Sequence, residues 1–190
     1  MKEHKDPCLV EHKKPKVRLL FPFNMRYGTP DITSPDQFGN QFTLLPLAMP
    51  VHVADPVERL KACQAKCDEL KLSPLPKVLI ATNKIGLKAL SMSKYEKLTV
   101  DLFSKHTGIF TNVPGPTHAV AFAGEMVQDL MFYVSAFVGF NISIISYNGR
   151  FNVGVLCDEN TGIDPNELAR LFRQSFDELH DTICPPADAM

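Results

Sequence analysis

The sequence predicts an α/β protein, and three observations carry that prediction. "ISIISYNGRFNVGVL" alternates about a central Asn-Gly pair in the manner of a hairpin. Two segments open on Asp-Pro and continue with apolar residues at helical spacing, "DPVERLKACQAKCDELK" and "DPNELARLFRQSFDELH". Apolar, proline-bearing runs of extended character stand before and after a helical middle. At 190 residues the chain is long enough to bury a core and fits one domain better than two.

The elements follow in order. Residues 1–16 are polar and basic and read as a flexible N-terminal tail. The predicted domain runs from 17 to 183, with residues 184–190 as a frayed tail. "VRLLFPF" (Val17 to Phe23) predicts a strand, and the Pro, Gly and Asp residues after it a long loop. Gln41 to Val53, apolar with two prolines, predicts an edge-like or bulged strand. Asp55 then caps a helix with Pro56 in the first turn and Glu58 completing a capping box, and Val57, Leu60, Cys63 or Gln64, Cys67 and Leu70 form its apolar stripe. "SPLPKVLIATNKIGLKALSM" predicts a second helix, and Ser93 with Glu96 caps a third whose face holds Tyr95, Leu98, Thr99, Leu102 and Phe103.

"GIFTNV" returns the chain to sheet. From Leu130 to Gly149 there are twenty residues without a charge, about a bilayer's width in a helix. Its serines, asparagines and glycines, with β-branched residues alternating near the end, favour buried sheet. In the hairpin, a two-residue type I′ turn at Asn148-Gly149 pairs Ile142 with Val155, Ile144 with Val153 and Ser146 with Phe151 on an apolar face. Ser143, Ile145, Tyr147, Arg150, Asn152 and Gly154 make a mixed opposite face, open to solvent or a ligand. Asp164, Pro165 and Glu167 begin the closing helix, with Leu168, Leu171, Phe172, Phe176 and Leu179 along its stripe.

Composition narrows the function. Lys and Arg (20) balance Asp and Glu (21), which leaves no general basic field for a nucleic-acid backbone. The five cysteines are odd in number and lack the dense spacing of a secreted disulfide scaffold, which fits a reducing compartment, and the N-terminus lacks the apolar core of a signal peptide. Cytoplasmic placement, not secretion, is the expectation.

Familiar catalytic and metal patterns are weak. Cys63 and Cys67 lie one turn apart but bring no further ligands, and as small apolar residues on the stripe they need none. His4, Cys8 and His12 sit in the basic tail, where such spacing is usually coincidence. His52 and Asp55 form a histidine-carboxylate pair, yet Asp55 is better explained as a cap. No phosphate loop and no G-x-S-x-G corner occur. "TNVPGP" remains: Pro114 followed by Gly115 is the chemistry of a type II turn, a rigid strand exit.

"TNVPGP", then "AVAFAGEMV", then "NISIISYNGRFNVGVLCDEN" and a closing amphipathic helix resemble the C-terminal domain of the wax ester synthase/diacylglycerol O-acyltransferases. Upstream, "VRLLFPFNMR", "FGNQFTLLPLAMPV" and "DPVERLKACQAKCDELK" are similar to that domain's earlier elements. The resemblance implies one half of a chloramphenicol acetyltransferase-like two-domain fold, a mixed sheet packed by amphipathic helices, with a tunnel between the halves. It implies acyl-CoA as co-substrate, no bound cofactor, and a long-chain alcohol or diacylglycerol as acceptor. The family's general base is a histidine of an HHxxxDG motif, and this chain contains no such motif. The implied partner is therefore an N-terminal HHxxxDG-bearing domain, with this chain as a tunnel wall, inactive alone. The alternative is a non-catalytic lipid-binding or partner-binding module. By the same resemblance Asn112, Pro114 and Gly115, then Asn40 and Arg26, are the candidate substrate-binding residues, with no catalytic residue and no metal ligand. Peripheral contact with the endoplasmic reticulum, another membrane or a lipid droplet stays open.

Overall fold

A computed structural model describes residues 16–26, 41–135 and 138–185. In chain order the elements are β1 (Val17–Asn24), β2 (Phe42–Met49), α1 (Pro56–Leu72), α2 (Leu75–Ala89), α3 (Met92–Ser104), β3 (Gly108–Val113), β4 (Ala121–Phe122), β5 (Glu125–Met126), β6 (Phe140–Tyr147), β7 (Arg150–Cys157) and α4 (Pro165–Ile183). The main sheet has the order β2-β1-β3-β6-β7. Strands β1, β3 and β6 are parallel, and the two outer strands pair antiparallel with them. The result is a mixed α/β fold with a five-stranded sheet and four described helices.

Local chemistry accounts for most of these elements. Pro46 is tolerated within β2 because that strand lies at the sheet edge, where a missing amide donor costs no ladder bond. The strand stops at Met49, short of the Val53 that composition predicts, since Pro50 accepts a turn bond from the Val53 amide. Asp55 caps α1 by accepting from the Glu58 amide at 2.8 Å, but the Glu58 carboxylate takes Lys61 at 2.9 Å, so only half of the capping box forms. Asp164 caps α4 through the Asn166 amide at 2.9 Å. The third helix begins two residues early: Ser91 holds the cap position, and Ser93 falls inside the helix.

The hairpin of β6 and β7 has the predicted register throughout, with Asn148 and Gly149 both at positive φ, 46° and 76°. Two other expectations fail there. The uncharged stretch becomes strand only at Phe140, and Leu130 to Ser135 is irregular. The mixed face is largely covered rather than open, because the segment after β5 lies across it, although Arg150 at its end stays exposed. Asn152 donates to the Leu130 carbonyl at 2.8 Å, and a Cβ at Gly154 would stand 2.9 Å from the Phe132 carbonyl oxygen. Phe151, assigned to the apolar face, is 68% exposed near the hairpin's tip.

The core centres on Leu20, Ile109 and Val138, with Leu44 and Phe103 packed against them. Leu20 and Ile109 are register partners across the β1–β3 parallel pair. Each such side chain contributes about 1.5–3 kcal/mol by leaving water. Helix α4 packs along β7 and touches α1, while α2 lies against β2. The segment between β3 and β6 is held by Tyr147, 1% exposed, whose hydroxyl donates to the Val127 carbonyl at 2.7 Å and accepts from the Val120 amide at 3.1 Å. Tyr147→Phe strands that carbonyl and amide around a buried ring, and it should lower stability by about 1–3 kcal/mol in urea denaturation.

Candidate functional site

The topology decides where the candidate residues meet. Parallel strands β1, β3 and β6 all end at one edge of the sheet, where β2 and β7 begin. Arg26 follows β1, Asn112 to Gly115 close β3, and the Asn148-Gly149 turn closes β6, so these residues share the carboxyl end of the parallel strands. Ligands of open α/β sheets bind in the crevice outside that end. Asn40 lies outside the described residues; its neighbour Gln41 accepts at its carbonyl from the Met25 amide at 2.9 Å.

The corner is built differently from the expected turn. Gly115 is not among the positive-φ glycines, which in the described chain are Gly124, Gly149 and Gly162, so the type II assignment is corrected. Gly115 is required by proximity instead: a Cβ there would stand 2.1 Å from the Ser146 carbonyl oxygen and 3.1 Å from Ile145 Cγ1. Its amide donates to Ser146 Oγ at 3.1 Å, and the Asn148 amide donates to the Pro116 carbonyl at 2.9 Å. Beyond it, Ala123 and Gly124, at φ 51° and 87°, turn the short β4–β5 hairpin that the sequence pattern did not announce.

Asn112 and Pro114 are exposed, and Gly115 and Arg26 are half-buried. Asn112 pairs in register with Ile144, yet its side chain makes no hydrogen bond among the described residues, so its amide is free for a group outside this chain. Ser146, Tyr147 and Asn148 belong to the site as its supports and were read from the sequence only as hairpin positions. Nothing local links them to Gly115, which is 31 residues from Ser146.

The remaining chemistry is sparse. No group of three or more His, Cys, Asp or Glu among the described residues is placed to hold a metal ion. A cavity of about 160 Å³ is lined by Val134, Ser135, Val138, Phe140, Asn141, Leu156, Cys157 and Asp158, with no histidine. It opens beside the start of β6 and the end of β7, at the edge opposite the corner. Burial pushes the Cys63 and Cys157 thiols up, with Cys67 adding to the first and Asp164 to the second.

A family model described as the WS/DGAT C-terminal domain matches residues 38–180. The chain belongs to this family. The "Putative diacyglycerol O-acyltransferase Rv0221" of Mycobacterium tuberculosis H37Rv is 29% identical over 157 residues, which cover 77% of this chain and 33% of the relative. A counterpart in strain CDC 1551 matches equally. This WS/DGAT chain therefore spans about a third of the length of the curated relatives it matches. The wax ester synthase/diacylglycerol acyltransferase of Marinobacter aquaeolei VT8 superposes with a TM-score of 0.54 at 15% identity, over 92% of this chain and 39% of that one. The two share a fold.

Two outcomes follow from the geometry. Gly115→Ala should cost about 1–3 kcal/mol, because a methyl cannot share space with the Ser146 carbonyl. Gly124→Ala, with nothing near its Cβ and only its φ of +87° to strain, should cost less, about 1 kcal/mol; urea denaturation of both variants decides, and equal losses would contradict the close-approach account. The raised thiols of Cys63 and Cys157 hold less thiolate near neutral pH, so iodoacetamide followed by peptide mass mapping should label them more slowly than exposed Cys184.

Proposed function

We propose that this WS/DGAT C-terminal domain serves as one wall of the acyl-transfer tunnel in an acyl-CoA-dependent O-acyltransferase, completed by an HHxxxDG-bearing half. The observation that carries this is the union of the family match over 38–180 with the "TNVPGP" corner at the carboxyl end of the parallel strands. The corner is rigid and its Asn112 amide is exposed and unpaired among the described residues, as an orienting group facing a second body should be.

The chemistry divides between the halves. The acceptor hydroxyl loses its proton to the histidine of the other half and attacks the thioester carbonyl. The carbon–sulfur bond breaks, the ester forms, and the departing thiolate of CoA takes up the proton. This domain contributes position: a fixed wall holding acyl chain and alcohol or diacylglycerol at attack distance supplies a large part of a rate without touching a proton. The names of the mycobacterial and Marinobacter relatives support diacylglycerol and long-chain alcohol as acceptor classes.

The purified chain with palmitoyl-CoA and either hexadecanol or diolein should yield no ester. Adding an HHxxxDG-bearing half should restore product, and in that assembly Asn112→Ala should lower kcat/KM on the order of tenfold. Ester formed by the chain alone, and unchanged when each of its six histidines is replaced in turn, would refute the division of labour. Acyl-chain binding with no ester under any pairing would favour a non-catalytic lipid-binding module.

A further inference from the structure

Charge is distributed unevenly over the helices. On α1 and α4 each Lys and Arg side chain has a partner: Lys61 pairs with Glu58, Lys71 with Asp68, Arg170 with Glu167 and Arg173 with Asp177, while Arg59 and Lys66 donate to the Val53 and Ala48 carbonyls. On α2 and α3 the pattern is the reverse. Lys77, Lys84, Lys88, Lys94 and Lys97 are exposed, and none forms an ion pair among the described residues. Only two carboxylates, Glu96 and Asp101, share these two helices, and Asp101 is taken by Lys105.

The same helices leave apolar side chains in the open. Val78 is 51% exposed and Ile85 64% exposed, and seven residues apart they share one stripe of α2. Lys77, Lys84 and Lys88, spaced by seven and four, form the adjoining stripe. Leu87 and, on α3, Met92, Leu98 and Leu102 are exposed as well. A helix with an exposed apolar stripe beside a row of unneutralised lysines matches the requirements of an interface that is negative outside and hydrocarbon within. No described helix is long and apolar enough to cross a membrane, so such a contact runs along the surface.

We infer that the α2–α3 helical pair is a docking surface for an anionic phospholipid bilayer, with Val78 and Ile85 entering the acyl boundary and Lys77, Lys84 and Lys88 meeting headgroup phosphates. A second copy of the chain is a poorer occupant, because two facing rows of lysine repel. The surface stands apart from the corner at the carboxyl end of the strands: α1 leaves the sheet after the end of β2, and α3 returns to it before the start of β3.

The test is co-sedimentation of the full chain with vesicles of phosphatidylcholine alone or with phosphatidylglycerol mixed in. Binding should require the anionic lipid and weaken as salt rises. Lys77→Gln with Lys84→Gln and Lys88→Gln should weaken it on the order of tenfold or more, and Val78→Asp with Ile85→Asp should do the same without changing the circular dichroism, since all five positions are exposed. Equal binding to neutral vesicles, no binding to anionic ones, or unaltered binding by both variants overturns the inference. So does a concentration-dependent dimer in sedimentation equilibrium that the lysine substitutions tighten. Ester formation is not read here, so this inference and the transferase proposal can fail separately.

Discussion

The candidate site depends on one close approach, the Gly115 backbone against the Ser146 carbonyl oxygen. A Cβ at position 115 would come within 2.1 Å of that oxygen, so only glycine lets the exit of β3 fold down over the end of β6. Four hydrogen bonds continue the seam: Gly115 amide to Ser146 Oγ, Asn148 amide to Pro116 carbonyl, Val120 amide to Tyr147 hydroxyl, and that hydroxyl to the Val127 carbonyl. Among the described residues between β3 and β6 the brief β4–β5 ladder is the only regular structure, too little backbone bonding to hold the segment in place. Pro114 and Pro116 restrict φ on either side of the contact and lower the entropy lost in making it. The stiffness of "TNVPGP" is thus a property of the strand ends it joins, and it presents Asn112 on a support that does not yield.

Much of this architecture was legible from local sequence, and the misses share a cause. Asp55 and Asp164 announced their helices because a cap is a contact across two or three residues. The β6–β7 register was legible because Asn148-Gly149 admits one turn type and the turn sets the pairing. The family pattern then located Asn112, Pro114 and Gly115, while Arg26 became their neighbour at the strand ends only through the parallel order of β1, β3 and β6. The role of Gly115 was misread because both explanations for a glycine, positive φ and close approach, leave the same tetrapeptide, and the second depends on a strand 31 residues away. The site's supports, Ser146 and Tyr147, were invisible for the same reason.

The two faces of the hairpin show why long-range packing was the harder part to read. A helix satisfies its own backbone, so the sheet face beneath it can be purely apolar; Ile142, Ile144, Val153 and Val155 provide such a face. Asp164, at the start of α4, acts on the Cys157 thiol that ends this row, which places that helix end beside it. An irregular segment leaves peptide groups without a ladder, and a sheet that carries one must supply partners from its side chains. The opposite face does this with the Tyr147 hydroxyl and the Asn152 amide, and with Gly154 where the chain passes too near for a side chain.

A mixed face is therefore no sign of solvent or ligand when irregular chain is available to cover it. Thr111, Ser143 and Gly154, partners in register across β3, β6 and β7, are all buried, and the Ser143 hydroxyl donates to the Asn141 side-chain Oδ1 at 2.8 Å. Polar residues on that face would be costly beneath a helix and are suited to a segment whose own peptides need partners. Most of the face that looked open is thus committed to the fold, with Arg150 left exposed at its end. The two faces of the hairpin thus divide the work of the fold, one carrying a helix and the other the irregular chain that runs on from the corner.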